Sequence, residues 1–351
     1  MSIVDETFGL INRGIAGDNP KVLTNIPKLD EVIHGIKQGY TYLIGGDTGS
    51  GKSSLVRSIF IDNVYDQVLK ANDTTKLDVL NIDFTLEIPP TLNIAGTIAR
   101  KAYQDYNKVL PVNKIFSWSS QLTTNEQTII SSYREWLNEY QKKFVIIDKE
   151  TSPNQFHDIL LEVAKANGTF SHEGRYIDEC GAYIPNNPNL YVMVTFDTIN
   201  LAALDSNHTT TKSSIDRISK IGVRFRNKCN FIIIPVQQYN SDLATTDRAR
   251  FGTQGPNLKD HMDSTGPTKD STVILGLYVP SRYLRDDQNL WRGYDISILK
   301  NWLVSLHVLK NRYGQASKYV PMKFDGAVGL FTQLPEANAM TENDYLLSTR
   351  H

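Results

Sequence analysis

The sequence predicts an α/β protein: a mostly parallel central sheet flanked by helices and followed by a C-terminal β-hairpin. Two observations carry this. Apolar runs of strand length recur near residues 40, 80, 145, 190, 232, 274 and 304, with helical periodicity between the early ones. That alternation builds a parallel sheet. The second observation is Gly46-Asp47-Thr48-Gly49-Ser50-Gly51-Lys52-Ser53, set between a strand-like run at 40–44 and a helix-like run at 54–61.

This octapeptide fits G-x-x-x-x-G-K-[ST], the phosphate-binding loop of nucleoside triphosphatases. Gly46, Gly49 and Gly51 let the backbone turn sharply and bring its N–H groups close to phosphate oxygens. The helix that follows aims its positive end at the same anion. Lys52 is expected on the β- and γ-phosphates and the Ser53 hydroxyl on Mg²⁺, with Ser54 beside them in the first turn.

With 351 residues the chain has room for one large or two ordinary domains, and its 40% hydrophobic and 21% charged residues are those of a globular protein. A formal net charge of −1 means that nucleic-acid binding would need a local basic surface or an assembly. Cys180 and Cys229 lack metal-ligand spacing, so neither a disulfide framework nor a zinc site is expected. The sequence shows neither a membrane-length apolar run nor a signal-peptide pattern, and a cytoplasmic location is expected (the bacterial host cytoplasm if the gene is phage-encoded).

In chain order, residues 1–20 form a short amphipathic segment (Ile3, Val4, Phe8, Leu10, Ile11) that could dock on a neighbour. The main domain is expected over 21–333. Residues 77–84 read as a second core strand ending in Thr85-Leu86-Glu87. Ligands sit beyond the carboxyl ends of strands in open α/β sheets. Glu87 is therefore either a carboxylate that orients water or an ordinary glutamate at a strand end.

Helices are expected over 94–106, 124–142 and 153–167, the last capped by Gly168. A short buried strand is expected over 144–148, and Trp118 and Trp136 are expected in the core. Residues 169–189, rich in Gly, Pro and Asn, read as an inserted loop or hairpin. The apolar run 190–197 closes on Asp197, the Walker B pattern, whose carboxylate holds Mg²⁺ through its water shell. An amphipathic helix over 213–229 turns Ile215, Ile218, Ile221, Gly222 and Phe225 inward. Strands at 231–236, 273–279 and 302–309 follow, and the last runs into Lys310-Asn311-Arg312-Tyr313-Gly314, a turn with two cations at its tip. Residues 320–324 return as the hairpin partner. The polar tail 334–351 is expected to fray.

Several of these segments resemble the ATPase domain of DnaB-family replicative helicases. Ile26-Pro27-Lys28-Leu29-Asp30 with Gly35-Ile36-Lys37-Gln38-Gly39 resembles the opening of that domain. Thr85-Leu86-Glu87-Ile88 is similar to its S-L-E-M, and Phe196-Asp197-Thr198-Ile199 to its I-D-Y-L. Gln237-Gln238-Tyr239-Asn240 resembles S-Q-L-N, Lys310-Asn311-Arg312-Tyr313-Gly314 resembles K-x-R-x-G, and Phe324-Asp325-Gly326 resembles F-D-G. The set comes in family order over residues 20–332.

The resemblance implies a RecA-like core that binds ATP and Mg²⁺. Lys52 and Ser53 would hold triphosphate and metal, Asp197 the metal, and Glu87 would be the general base. Gln238 would sense the γ-phosphate, and Lys310 and Arg312 would act on the neighbouring subunit's site. It further implies a homo-oligomer, a hexameric ring, translocating on single-stranded DNA in replication, with other replisome proteins as partners. The channel would be lined by residues 203–215, offering His208 and Lys212, and 240–268, offering Arg248, Arg250, Phe251 and Lys259.

The family's N-terminal collar domain is missing from this chain, and Asp260-His261-Met262-Asp263-Ser264-Thr265-Gly266 stands where the family has D-L-R-E-S-G. The 169–189 insertion also lies outside the family pattern. A filament-forming recombinase-like ATPase and a nucleotide-stabilised scaffold subunit are the alternative functions.

Overall fold

The computed structural model describes residues 3–17, 22–71, 75–205, 208–240, 248, 255–261, 266–283 and 289–350. Its strands are β1 (Tyr42–Gly46), β2 (Asp78–Thr85), β3 (Phe144–Ile147), β4 (Gly168–Phe170), β5 (Tyr183–Pro185), β6 (Leu190–Asp197), β7 (Ile232–Gln238), β8 (Val273–Tyr278), β9 (Leu290–Trp291), β10 (Tyr294–Asp295), β11 (Leu303–Asn311), β12 (Lys318–Asp325) and β13 (Leu330–Gln333). Nine of them form one sheet in the order β13-β12-β11-β8-β1-β7-β6-β2-β3. From β8 to β3 every pairing is parallel, and β11, β12 and β13 add on antiparallel. The expected mostly parallel sheet is present, and the C-terminal hairpin is extended by a third strand.

The order of strands creates the crevice. After β1 the chain crosses to β2, beyond β7 and β6, whereas after β7 it returns to β8 on the other side of β1. Ligands bind where connections diverge in this way. The segment that follows β1 is continuous helix: Lys52–Leu55, then Val56–Asp62 in π-helical geometry, then Asn63–Lys70. Its apolar side joins Tyr42, Ile44, Val304, Leu306 and Met322 in one core. On the other half of the sheet the Pro153–Asn167 and Thr211–Cys229 helices bury Phe156, Leu160, Ile215, Ile218, Ile221 and Phe225 against Ile82, Phe84 and Val194.

Two ion pairs sit under the long helix. Arg57 reaches Asp83, which also accepts from the Thr195 hydroxyl at 2.5 Å. Arg100 donates to Asp62 at 2.7 Å, and Tyr140 gives its hydroxyl proton to the same carboxylate. All six side chains are buried. Buried charges hold only when each has a partner.

Several expectations are corrected. β3 pairs only with β2 and ends the sheet, so it is not buried: Val145 and Ile146 are 38% and 42% exposed. The helix expected over 124–142 is broken at Tyr133 into Thr124–Ser132 and Arg134–Gln141. Trp118 is not in the core but 68% exposed, stacked on Phe116, whereas Trp136 packs beside Tyr65 and Tyr140. Gly168 does not cap a helix in left-handed geometry. It opens β4, where a Cβ would lie 2.5 Å from the Tyr183 ring.

The insertion is a hairpin, β4 against β5. It is strapped to the helices beside it by Ile177 N–H on His157 Nε2 at 3.1 Å and by an Arg224–Asp178 ion pair. The tail does not fray. Glu342–Ser348 is a helix with a Thr341 capping box, and Lys323 holds the carbonyls of Leu347 and Arg350. The Ile3–Ala16 helix leaves Val4, Phe8, Ile11 and Ile15 from 47% to 80% exposed, and Arg13 ties it to Asn189.

Replacing Asp62 with alanine leaves the Arg100 charge and the Tyr140 hydroxyl buried without their carboxylate. Breaking such a pair costs about 3–5 kcal/mol. Asp62→Ala should lower the urea midpoint of unfolding accordingly, and a midpoint within error of the parent would mean that the pair is not needed for stability.

Candidate nucleotide site

Parallel neighbours bring their carboxyl ends to one edge. β1 ends at Gly46, level with Gln238 of β7, and β6 ends at Asp197, level with Thr85 of β2. The loop after Gly46 turns through positive φ at Gly49 (70°) and Gly51 (90°). A Cβ on Gly51 would also come within 2.8 Å of Phe331, so the turn tolerates only glycine there. The Ser50 hydroxyl and the Lys52 ammonium both donate to the Asp47 carbonyl, at 2.7 and 2.8 Å.

Around this loop stand the side chains expected from the sequence. The Ser53 hydroxyl hydrogen-bonds to the Asp197 carboxylate. Gln238 Nε2 donates to Thr48 Oγ1 at 2.6 Å, which sets the amide over the loop. Leu86 N–H donates to the Asp197 carbonyl at 3.0 Å, so Glu87, the next residue and an exposed one, projects beside Asp197.

The electrostatics bind the group together. Burial lowers the Lys52 pKa, and Asp197, Glu87 and Asp47 pull it back up. Burial pushes Asp197 up to about 6, with Glu87 and Asp83 adding to the rise and the Ser53 hydroxyl opposing it. Asp197 Oδ1 is buried with no hydrogen-bond partner among the described residues. A buried carboxylate oxygen without a donor, next to a serine hydroxyl at a helix N-terminus, is a donor set for a hard divalent cation.

One participant was not legible in the sequence. Arg282, in a 3₁₀ turn two residues past an expected strand, donates to the Thr48 and Gly49 carbonyls, each at 2.8 Å. It clasps the phosphate-binding loop from outside. Beside it a cleft of about 190 Å³ is lined by Gly49, Arg282, Trp302 and Phe324.

Lys310 and Arg312 are not at this edge. β11 runs antiparallel to β8, with Ser305 level with Tyr278 but Asn311 level with Val273. Val273 is level in turn with Tyr42, the first residue of β1. The two cations therefore lie at the opposite end of the sheet, roughly 13 Å before Gly46 along the strand direction at about 3.3 Å per residue.

There Lys310 donates to the Thr268 and Lys269 carbonyls at 2.9 and 3.0 Å, and Arg312 to the Lys269 carbonyl at 3.3 Å. Burial lowers the Lys310 pKa, as do Arg312 and Arg226, while Asp270 raises it. An acidic neighbour that sequence order does not reveal thus stands near these cations.

The expected DNA-facing cations fare unequally. Lys212 and Lys259 are exposed. Arg248 is not a free cation: it pairs with Asp260, which is 1% exposed, and donates to the Gly255 carbonyl. It holds its own loop together. His208 pairs with Asp205. Arg250 and Phe251 lie outside the described residues. Among the described residues no helix is long and apolar enough to cross a membrane.

No family model and no curated protein matches the chain. Solved structures do. One is an ATPase domain solved as a separate chain, which superposes with a TM-score of 0.69 at 18% identity, covering 95% of this chain and 100% of that one. A DnaB-like replicative helicase, described with its interactions with primase, superposes with a TM-score of 0.67 at 18% identity, covering 93% of this chain and 68% of that one. At such identity the likeness is one of fold: the chain has the RecA-like α/β fold shared with these two structures.

Proposed function

We propose that the chain is an ATP-hydrolysing motor subunit that assembles into a homo-oligomeric ring, hexameric as in DnaB-type helicases, and moves on single-stranded DNA during replication. The observation that carries this reading is the division of the catalytic set between two ends of the sheet. Lys52, Ser53, Asp197, Glu87 and Gln238 meet at one end, and Lys310 and Arg312 stand at the other. A subunit built this way completes its neighbour's site and not its own.

The roles follow from position. Backbone N–H groups of the loop from Gly46 to Ser54 cradle the phosphates, with Lys52 on the β- and γ-oxygens. Ser53 and Asp197 would hold Mg²⁺, which supplies charge neutralisation on those phosphates. The adenine fits the cleft beside Gly49, between Arg282 and the Trp302 and Phe324 rings. Glu87 takes a proton from the attacking water, and Gln238, tethered to Thr48, senses whether a γ-phosphate is present. Lys310 and Arg312 from the next subunit stabilise transition-state charge, a contribution worth ~10³-fold or more. The exposed apolar side of the Ile3–Ala16 helix supports a docking role against a neighbouring subunit.

The ion pair between Arg248 and Asp260 favours one rival, a scaffold subunit that binds nucleotide without working on DNA, because it removes a cation from the channel set. ATPase rates with and without single-stranded DNA, together with particle images in a non-hydrolysable ATP analogue, separate the readings. Closed rings stimulated by DNA support the motor, open helices support a filament, and DNA-independent turnover supports the scaffold.

Glu87→Gln should bind ATP as the parent does and turn over slower by about 10²-fold or more, the usual worth of a general base. A parental rate would assign the base elsewhere. The raised Asp197 pKa has its own consequence. A metal ligand must be deprotonated, so Mg²⁺ dependence of nucleotide binding should weaken as pH falls through about 6 and be flat above it. Equal Mg²⁺ affinity at pH 5 and pH 8 would count against Asp197 as a ligand.

Arg312→Ala and Lys52→Ala should each abolish turnover, the first while retaining ATP binding. Mixing the two proteins should restore part of the activity, because some junctions then pair an intact loop with an intact finger. Normal turnover by Arg312→Ala alone would end the trans-acting role.

A further inference from the structure

A second basic site lies on the face of the sheet away from the long helix. A cleft of about 600 Å³ opens between the segment 256–259, the turn joining β9 to β10, and the paired strands β11 and β12. Lys259, Arg292 and Lys318 line it, and no aspartate or glutamate does. Among the described residues no carboxylate lies within ion-pair distance of these three cations.

The cations are placed with some care. β9 and β10 are joined by a two-residue turn, Arg292 and Gly293, with φ of 48° and 88°. Both values belong to the turn that matches strand twist, in which asparagine or glycine is usual and arginine is strained. The conformation sets the Arg292 guanidinium 4.1 Å from the Tyr319 ring centroid and 5.4 Å from that of Trp291. Stacking of this kind holds the charge in one position at little further entropic cost.

Behind it lies His307, 9% exposed, opposite Tyr319 across the β11–β12 pair. Its Nε2 has no hydrogen-bond partner among the described residues. Burial, with Arg292 adding, lowers its pKa to about 3, so the ring is neutral.

We propose that this cleft binds the phosphate backbone of a single-stranded nucleic acid. The inference rests on the motor reading above. Sites for a free phosphate gather backbone N–H groups into a nest, but here the Lys259 N–H is spent on Asn257 Oδ1 and the Ser317 N–H on the Val308 carbonyl. Long side-chain cations on three separate segments, in an open and elongated cleft, suit a chain of diesters read without regard to sequence. The cleft makes good the charge that Arg248 withdraws.

The test is fluorescence anisotropy of labelled oligo-dT, with a non-hydrolysable ATP analogue, across a salt series. The variants are Arg292→Ala with Lys318→Ala, and Lys318→Glu alone. Each phosphate contact contributes about 0.7 to the slope of log affinity against log salt on single strands, so the double variant should flatten the slope by about 1.4. Binding should weaken at low salt and Arg292→Lys should recover much of it, with fluorescent-nucleotide binding and sedimentation unchanged in all.

A parental slope and affinity in both variants would overturn the site and leave the motor reading intact. So would a loss that tracks loss of assembly in sedimentation, which would make the cleft an interface between subunits. Competition by inorganic phosphate as effective as by oligo-dT would also overturn it. Parent protein that binds no oligo-dT would instead remove the nucleic-acid reading, and this site with it.

Discussion

Four adjacent strands, β1, β7, β6 and β2, run in the same direction, so their carboxyl ends deliver Gly46, Gln238, Asp197 and Thr85 to a single edge. Parallel pairing imposes this, because each strand must be reached by a crossover that returns the chain to the opposite edge. The crossovers also cover both faces, which is why these strands are near-continuous apolar runs ending abruptly in polar residues. Buried strand interior and exposed carboxyl edge are two consequences of one arrangement.

At that edge the dominant cost is desolvation. Lys52 and Asp197 are both shifted toward their neutral forms by burial, and each is drawn back by the partners around it. A phosphate and a divalent cation would relieve both at once, since each supplies the charge that the other buried group lacks. Beneath the edge the Arg57–Asp83 and Arg100–Asp62 pairs keep the long helix in register with β2 and with the helix that carries Arg100. The geometry of the loop thus depends on charges that never meet the ligand.

The far end of the sheet has the opposite character. Lys310, Arg312 and Arg226 crowd onto the carbonyls that end a short helix at Asp270, a weakly negative anchor that positions cations without neutralising them. A cation held this way remains available to an external anion. Arg248, paired with a nearly inaccessible Asp260, is not available, and the contrast separates cations that face outward from cations that hold the fold.

Much of this was legible in the residues alone. Glycines at fixed spacing before Lys52 specify a loop because few other residues adopt its backbone. Period-2 and unbroken apolar runs marked β2, β6 and β7 within a residue or two. Helix periodicity located the inward residues Ile215, Ile218 and Phe225.

What the sequence could not convey depends on partners distant along the chain. An apolar run at 144–147 has the same pattern whether its strand is central or at the edge; only the number of neighbours exposes Val145 and Ile146. Arg282 meets Thr48 and Gly49 across 233 residues or more, Arg248 finds Asp260 through a loop, and Arg292 reaches Tyr319 by a turn too short for periodicity to register. Local pattern determined which segments form helices and strands and which residue types could do phosphate chemistry. Tertiary structure decided which charges are consumed in holding the fold and which are left facing outward, because that depends on the carboxylate or carbonyl each cation meets in space.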